Sequence, residues 1–266
     1  MTPVGSAQPP LYSGFEDELF VYGILPVQDL DAGSQAVAGL KGLDGGPVEF
    51  VRFGGLATAV SHVDVDRRPG RRADLLAYQS VLDGLAQVGP VAPVRFGSVM
   101  PDADTVAAEL MAPDAAHFVS LLERLRGRRQ FNLRVTPVEE AVIGELVASD
   151  PEIRRLRERT RNLPEDASYR DRVRLGELVA HGLEQHNAQD ADMVLDVVEP
   201  LADEHLVRTP PSATEVLDVA LLVDDSRSGE LVDVLEDCAE AWHERLSLRL
   251  VGPLAPYDFV EERSWA

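Results

Sequence analysis

The sequence predicts an α+β protein of two domains, the C-terminal one ferredoxin-like with an extended helical region. Three observations predict this fold class. The chain has 266 residues, 45% hydrophobic and 27% charged, which suits folded domains and is long enough for two. Short apolar runs bounded by Gly and Pro alternate with longer stretches of helical periodicity. In the second half these elements follow the order β-α-β-β-α-β, which is that of a ferredoxin-like domain.

The first domain is predicted over residues 19–128, after a flexible tail over residues 1–18 that is small, polar and Pro-rich. Residues 29–46 are rich in Gly, Asp and Ala and give no clear prediction. Pro113 is expected to divide the last helical stretch in two, because proline breaks a helix interior. The predicted elements are strands over 19–25, 48–53 and 56–60, a helix over 72–88, a strand over 91–99, and helical segments that end before Gly127.

The second domain is predicted over residues 129–266, because its first strand, over 131–138, belongs to the ferredoxin-like order. A helical extension over about 139–204 follows, and Pro151 and Pro164 divide it into three helices. The remaining predicted elements are a short strand over 206–208, a strand over 216–223, a helix over 231–246 and a strand over 248–251.

The composition of the chain argues against several classes of partner and site. The net charge of −21 disfavours nucleic acid and anionic lipid as partners. The single cysteine, Cys238, excludes an internal disulfide or a Cys-based zinc site, and its helical spacing with Leu235 and Trp242 predicts a buried thiol. The N-terminus lacks the features of a signal peptide, and no apolar run reaches the roughly 18 residues of a membrane span. We therefore expect a cytoplasmic protein with no membrane partner.

The middle of the chain is basic, although the chain as a whole is acidic. Residues 121–176 hold 13 basic and 10 acidic side chains, whereas residues 177–266 hold 5 and 21. The candidate residues on the basic helix are Arg154, Arg155, Arg157 and Arg159. They form either a solvated helix face paired with nearby Glu or a docking surface for an acidic partner. No aromatic residues lie between the arginines, so stacking on single-stranded nucleic acid is not expected.

Arg95 and Phe96 form a second candidate site. The tetrapeptide Val-Arg-Phe-Gly occurs at 51–54 and at 94–97, but its flanks differ and it predicts no repeat. Within a strand, Arg95 is expected to point away from the face that carries Val94 and Phe96. Such an arginine is solvated, paired within the protein or in contact with a partner.

One enzymatic alternative is a metal-dependent, nucleotidyl-transfer-type site on a palm-like ferredoxin domain. Glu139 and Glu140 follow one predicted strand, and Asp224 and Asp225 end another. If these strands are adjacent and parallel, their carboxylates meet at one end of the sheet and bind Mg²⁺. Ordinary turn and helix-capping roles account for the same residues without a metal, and we favour them. The sequence contains no P-loop, GxGxxG or GxSxG motif, and we expect no cofactor.

The sequence resembles the GvpF/GvpL family of gas vesicle proteins in four blocks. They run in the family's order from about residue 19 to residue 260. The two most specific are Pro-Val-Arg-Phe-Gly at 93–97 and the ending Gly-Pro-x-x-Pro-Tyr-x-Phe-Val at 252–260, in which residue 255 is Ala where proline is common. The two others are the strands Phe-Val-Tyr-Gly-Ile at 20–24 and Val-Ala-Leu-Leu-Val-Asp at 219–224.

The resemblance implies an accessory role in gas vesicle assembly and no catalytic activity. The implied partners are the small hydrophobic shell subunit and other gas vesicle accessory proteins. The chain would act as a chaperone-like helper or as a minor wall component. Tyr257 and Phe259 in the ending motif join the arginines and Phe96 as candidate partner-binding residues. A sheet edge of the chain offers one way to cover an aggregation-prone subunit.

Overall fold

The structure is a computed structural model that describes residues 17–64, 66, 68–209 and 215–260. The chain divides into two compact units, one extending to Leu122 and the other beginning at Glu123. Each unit contains helices and one antiparallel sheet, so the prediction of a mixed α+β fold is confirmed. No helix among the described residues is both long and apolar enough to cross a bilayer.

The first unit is built on an antiparallel sheet with the strand order β2-β3-β1-β4, to which β5 adds by pairing with β1. Its elements are β1 Asp17–Pro26, α1 Leu30–Val37, β2 Glu49–Phe53, β3 Leu56–Asp64, α2 Arg72–Val88, β4 Ala92–Pro93, β5 Val99–Met100, α3 Ala103–Thr105 with a π-helical continuation Val106–Met111, and α4 Ala115–Leu125, which leads into the second unit.

The predicted strand over 91–99 is wrong. Its two ends form the short strands β4 and β5, and the residues between them form a turn. Gly97 has a φ of +92°, a conformation that side chains with a Cβ disfavour, and it reverses the chain there. Helix α1 lies in the segment 29–46, for which no element was predicted, and it buries Leu30, Gly33 and Val37.

The second unit carries a four-stranded antiparallel sheet in the order β7-β8-β6-β9. Its elements are β6 Arg128–Pro137, α5 Glu139–Ser149, α6 Pro151–Thr160, α7 Glu165–Val198, a 3₁₀ turn Glu199–Leu201, β7 Glu204–Arg208, β8 Leu217–Asp224, α8 Ser228–Trp242, β9 Leu246–Leu254 and a 3₁₀ turn Tyr257–Phe259.

The three helices predicted between β6 and β7 are present. Asp150 caps α6, accepting hydrogen bonds from the amides of Glu152 and Ile153, and Pro151 occupies the first turn, where its missing N–H is not needed. Along β6, buried side chains alternate with more exposed ones, as predicted for a half-buried strand. The buried residues pack against α7 and α8. These core residues include Phe131, Leu133, Val135, Val194, Val198, Leu231 and Leu235.

Helix α8 begins and ends earlier than predicted. It covers Ser228–Trp242 and buries Leu231 and Leu235. Cys238 is only half-buried, so the prediction of a buried core thiol is wrong. Partial burial, with a smaller effect of Asp237, raises the pKa of the Cys238 thiol above its usual value. The thiol is therefore held in its less reactive, protonated form.

Candidate functional site

The basic helix α6 presents its arginines to solvent because its apolar residues fall on one face. Ile153, Leu156 and Thr160 are buried at 3-4 spacing, and the residues between them are exposed. Ile153 joins a small core with Val142 and Leu146 of α5, against which side chains of α7 pack. The buried stripe fixes the helix orientation, so Arg154, Arg155, Arg157 and Arg159 all reach the surface.

Arg159 differs from the other three arginines because it is paired within the protein. Its Nε donates to Asp171 Oδ2 on α7 at 2.7 Å, and a second nitrogen contacts the other carboxylate oxygen. This hydrogen bond holds the pKa of the Asp171 carboxyl below its usual value. Among the described residues, Arg154, Arg155 and Arg157 form no such ion pair.

An open groove of about 570 Å³ lies beside α6 and is called here the arginine groove. Arg172 of α7 is held in it by hydrogen bonds to Ser168 Oγ at 2.9 Å and to the Thr160 carbonyl at 3.2 Å. Positive charge therefore lines a concave surface in a chain of net charge −21. The lining residues are Val147, Arg154, Arg157, Glu158, Thr160, Arg161 and Arg172.

Arg95 and Phe96 lie in the turn between β4 and β5. Arg95 is exposed, and its carbonyl accepts hydrogen bonds from the backbone amide and the hydroxyl of Ser98. Phe96 is half-buried, with its ring centroid 5.8 Å from Phe20 and 5.3 Å from Tyr78 in edge-on contacts. The turn thus anchors Phe96 in the core of the first unit and leaves Arg95 at the surface.

The C-terminal motif packs onto the second sheet. Phe259 is 7% exposed, and Tyr257 is half-buried. The Asp258 amide donates to Gln130 Oε1 at 3.0 Å, and the Asp258 carboxylate accepts from Arg208 at 3.3 Å. The structure therefore uses Phe259 in its own packing, and any partner contact through this residue requires the segment to move.

A buried carboxylate connects the same segment to the sheet. Asp218 on β8 is 6% exposed and accepts hydrogen bonds from Arg208 at 2.7 and 3.1 Å and from Arg134 at 3.2 Å. Arg208 joins Asp218 to Asp258, so one guanidinium connects β7, β8 and the ending motif. These residues were not predicted as a site from the sequence, although an aspartate inside the apolar run of β8 is a visible signal.

The proposed carboxylate metal site does not form. Strands β6 and β8 are antiparallel, and Asp224 lies opposite Arg128 at the start of β6. Glu139 and Glu140 follow the other end of β6, and eight paired positions at about 3.3 Å each separate the ends by roughly 25 Å. The expectation of parallel strands was wrong because the β7–β8 hairpin reverses the chain. Asp224 instead caps the turn before α8, accepting from the Ser226 amide at 2.9 Å.

The structure therefore assembles one of the three candidate groups into a continuous surface. The α6 arginines share one helix and border one groove. Arg95 and Phe96 lie in the first unit, whereas Tyr257 and Phe259 lie at the end of the second. No group of three or more His, Cys, Asp or Glu side chains suited to a metal ion occurs within the described ranges.

Comparisons with known proteins agree on one family. The model of the family "Gas vesicle synthesis protein GvpL/GvpF" matches residues 18–261. Gas vesicle protein F of Streptomyces sp. (strain CB03234) is 35% identical over 81% of this chain and 88% of its own length. Gas vesicle protein F of Nostoc sp. (strain PCC 7120) is 24% identical over 91% of this chain and 98% of its own.

Solved structures show the same fold. The crystal structure of the gas vesicle protein GvpF from Anabaena sp. PCC7120 superposes with a TM-score of 0.77 at 22% identity, covering 93% of this chain and 99% of that one. GvpF from Microcystis aeruginosa gives 0.73 at 22% identity, with 92% and 99% covered. The family match over almost the whole chain, with the 35% identical relative, shows that this chain belongs to the GvpL/GvpF family of gas vesicle synthesis proteins.

Proposed function

We propose that this chain is an accessory protein of gas vesicle assembly that binds the small hydrophobic shell subunit. Membership of a family with a role in gas vesicle formation supports the process. The structural observation that carries the binding is the surface of Arg154, Arg155 and Arg157, which is exposed and unpaired among the described residues. In a strongly acidic chain, such a surface favours an acidic patch on a partner.

An apolar shell subunit explains why a helper is needed. A subunit with an apolar face and open strand edges aggregates when it is free. A strongly acidic binder that covers those features keeps the subunit dissolved. Strand β7 lies at the edge of the second sheet and exposes Leu206 by 45% and Val207 by 48%, which supports a role for apolar contacts beside the arginines.

We infer that the second unit is a ferredoxin-like domain with a helical extension. Its chain order is β6, three helices, β7, β8, α8 and β9, and its sheet order is second, third, first, fourth. Both orders match the split βαβ pattern. The extension α5–α7 carries the arginine groove, so on this view the added helices carry the partner-binding surface.

The sequence identities favour an F-type over an L-type assignment for this chain. The F protein of Streptomyces sp. (strain CB03234) is 35% identical to this chain, and the L protein of the same strain is 27% identical. We propose cytoplasmic action at the growing vesicle, with the shell subunit and other gas vesicle accessory proteins as partners. No cofactor, nucleic acid or membrane enters this proposal.

Co-expression with the shell subunit and affinity capture test the proposal. The chain should capture the subunit, and the triple variant Arg154→Ser, Arg155→Ser, Arg157→Ser should capture less. Three exposed ion pairs at about 0.2–1 kcal/mol each predict an affinity about 3- to 150-fold lower. The wild-type capture should weaken as salt rises, because screening shortens the reach of charge to about 10 Å at 0.1 M.

A matched control removes the same charge elsewhere. Arg68, Arg72 and Arg249 are exposed, and changing all three to Ser should leave capture unchanged. No capture by the intact chain would overturn shell-subunit binding. Equal capture by both triple variants would instead identify the α6 arginines as a solvated face.

Washing purified vesicles with urea separates the two forms of the proposal. A transient helper should be released completely, and a minor wall component should remain with the shell. Retention after the wash would favour the wall component, and complete release would favour the helper or a loosely attached protein.

A further inference from the structure

A second groove, of about 480 Å³, lies within the first unit and is called here the β2 groove. Strand β2 forms one wall, and the segment leading into α3 forms another. Its lining residues are Leu19, Glu49, Phe50, Val51, Arg52, Val60, His62, Pro101, Asp102, Ala103, Asp104 and Ala107. The groove is independent of the arginine groove, which lies in the other unit.

Strand β2 is an edge strand with an apolar sequence. It pairs with β3, and no strand among the described residues pairs with its outer edge. Its sequence is Glu-Phe-Val-Arg-Phe, in which Phe50 and Val51 are half-buried and Phe53 is 36% exposed. An edge of this kind offers backbone donors and acceptors to another extended chain.

The rim of the groove is acidic. Glu49, Asp102 and Asp104 contribute three carboxylates, against one guanidinium from Arg52 and the imidazole of His62. Asp102 accepts a hydrogen bond from the Thr105 amide at 2.7 Å, and this bond lowers the pKa of the Asp102 carboxyl. Its charge therefore persists at neutral pH and favours a basic side chain in the occupant.

We propose that the β2 groove binds an extended apolar segment of a partner protein, which adds to β2 as a strand and places a basic side chain against Glu49, Asp102 and Asp104. An edge strand beside a helical wall is the arrangement in which main-chain hydrogen bonds supply affinity and side-chain pockets supply specificity. Five residues of β2 at about 3.3 Å each accommodate a segment of roughly 17 Å.

A second copy of this chain fits the groove less well than a different partner does. A symmetric pairing of β2 with β2 brings the same surface of both copies together. Each copy would bring the same rim of three carboxylates against one arginine, and this like net charge opposes the pairing. The inference rests on the proposed function only in that the shell subunit is the natural source of such a segment.

A synthetic peptide tests the inference without the shell subunit. The probe is Lys-Val-Thr-Val-Thr-Val-Lys, which alternates apolar and polar residues between two basic ends. Hydrogen exchange of the full chain, with and without the probe, should show new protection at residues 49–53. The matched control is β9, residues 246–254, which is also an edge strand, takes no part in the proposed shell-subunit surface and should show none.

Two pairs of variants test the groove itself. Ala103 is exposed and lines the groove, so Ala103→Trp should fill it and lower probe affinity at least 10-fold; Ala108 is exposed on the same helical segment outside the lining, so Ala108→Trp should not. Asp102→Asn with Asp104→Asn keeps the cap but removes two charges, and should lower affinity about 2- to 30-fold. Glu109→Gln is the charge control.

Several results would overturn the inference. They are no protection at β2, equal protection at β9, or unchanged probe binding by Ala103→Trp. Concentration-dependent dimerisation that Ala103→Trp abolishes would assign the groove to a second copy instead. Because the probe is not the shell subunit, probe binding with no shell-subunit capture would sink the proposed function alone, and the reverse pattern would sink the inference alone.

Discussion

The backbone carbonyl of Phe259 accepts a 2.6 Å hydrogen bond from the guanidinium of Arg124. The same guanidinium contacts both carboxylate oxygens of Glu204, at 2.6 and 2.8 Å. One side chain from α4 therefore holds the ending motif and the start of β7 together. The ending motif, which carries part of the family resemblance, is therefore held within the second unit by an Arg124 clamp.

Replacing Arg124 tests the clamp. Arg124→Met keeps much of the aliphatic stem and removes the charged hydrogen bonds, and should lower the free energy of unfolding by about 1–2 kcal/mol. We place the value at the low end of charged hydrogen bonds because the Arg124 side chain is 38% exposed. Chemical denaturation measures the change. The exposed Arg249→Met is the control and should stay within about 0.5 kcal/mol of the parent chain.

Two glycine-to-alanine substitutions should change the stability of the fold in opposite directions. A Cβ at Gly252 would lie 2.5 Å from the Phe131 ring and 3.0 Å from the Gln130 carbonyl, so Gly252→Ala should destabilise by about 1–3 kcal/mol. A Cβ at Gly144, within α5, meets no atom within 4 Å, and Gly144→Ala should stabilise by about 0.4–1 kcal/mol. Thermal melts of both variants decide this. Equal effects would show that β9 yields freely at Gly252.

Tyr78 should make the first unit sensitive to alkaline pH. Its hydroxyl donates to the Val94 carbonyl at 2.5 Å, and burial raises the pKa of the phenol well above its usual value of about 10. A raised folded-state pKa gives stability that is complete below pH 10 and is lost as pH rises beyond it. Tyr78→Phe should be less stable than the parent chain at pH 8 by about 1 kcal/mol, and this gap should shrink by pH 11. Parallel urea-midpoint curves over that range would contradict the burial argument.

Elements were predicted correctly where the apolar periodicity and the positions of Gly and Pro indicate the same boundaries. Helix α2 lies where its apolar spacing placed it, and Pro151 and Pro164 mark the starts of α6 and α7 to within a residue. Helix α1 was missed because Gly33 and its small, polar neighbours weaken the local signal. The turn at Gly97 was missed because its flanks are apolar and read as one strand.

Among the candidate site residues, those whose exposure depends on one helix could be predicted, and those whose burial depends on distant residues could not. The exposure of Arg154 and Arg157 follows from one helix and its apolar stripe, so a local pattern predicts it. The burial of Phe259 depends on a sheet face and on Arg124, which is 135 residues away in sequence. The β2 groove likewise requires the segment around Ala103 to meet a strand about fifty residues earlier, and no local pattern contains that meeting.

Native mass spectrometry of the chain, purified after co-expression with the small shell subunit, detects directly whether the two proteins form a complex. At low salt we expect a species whose mass is the 29.0 kDa of this chain plus a whole number of shell subunits. The triple variant Arg154→Ser, Arg155→Ser, Arg157→Ser should show a smaller share of that species. If the chain appears only at 29.0 kDa at low salt, with the shell subunit present in the same cells, it does not bind that subunit.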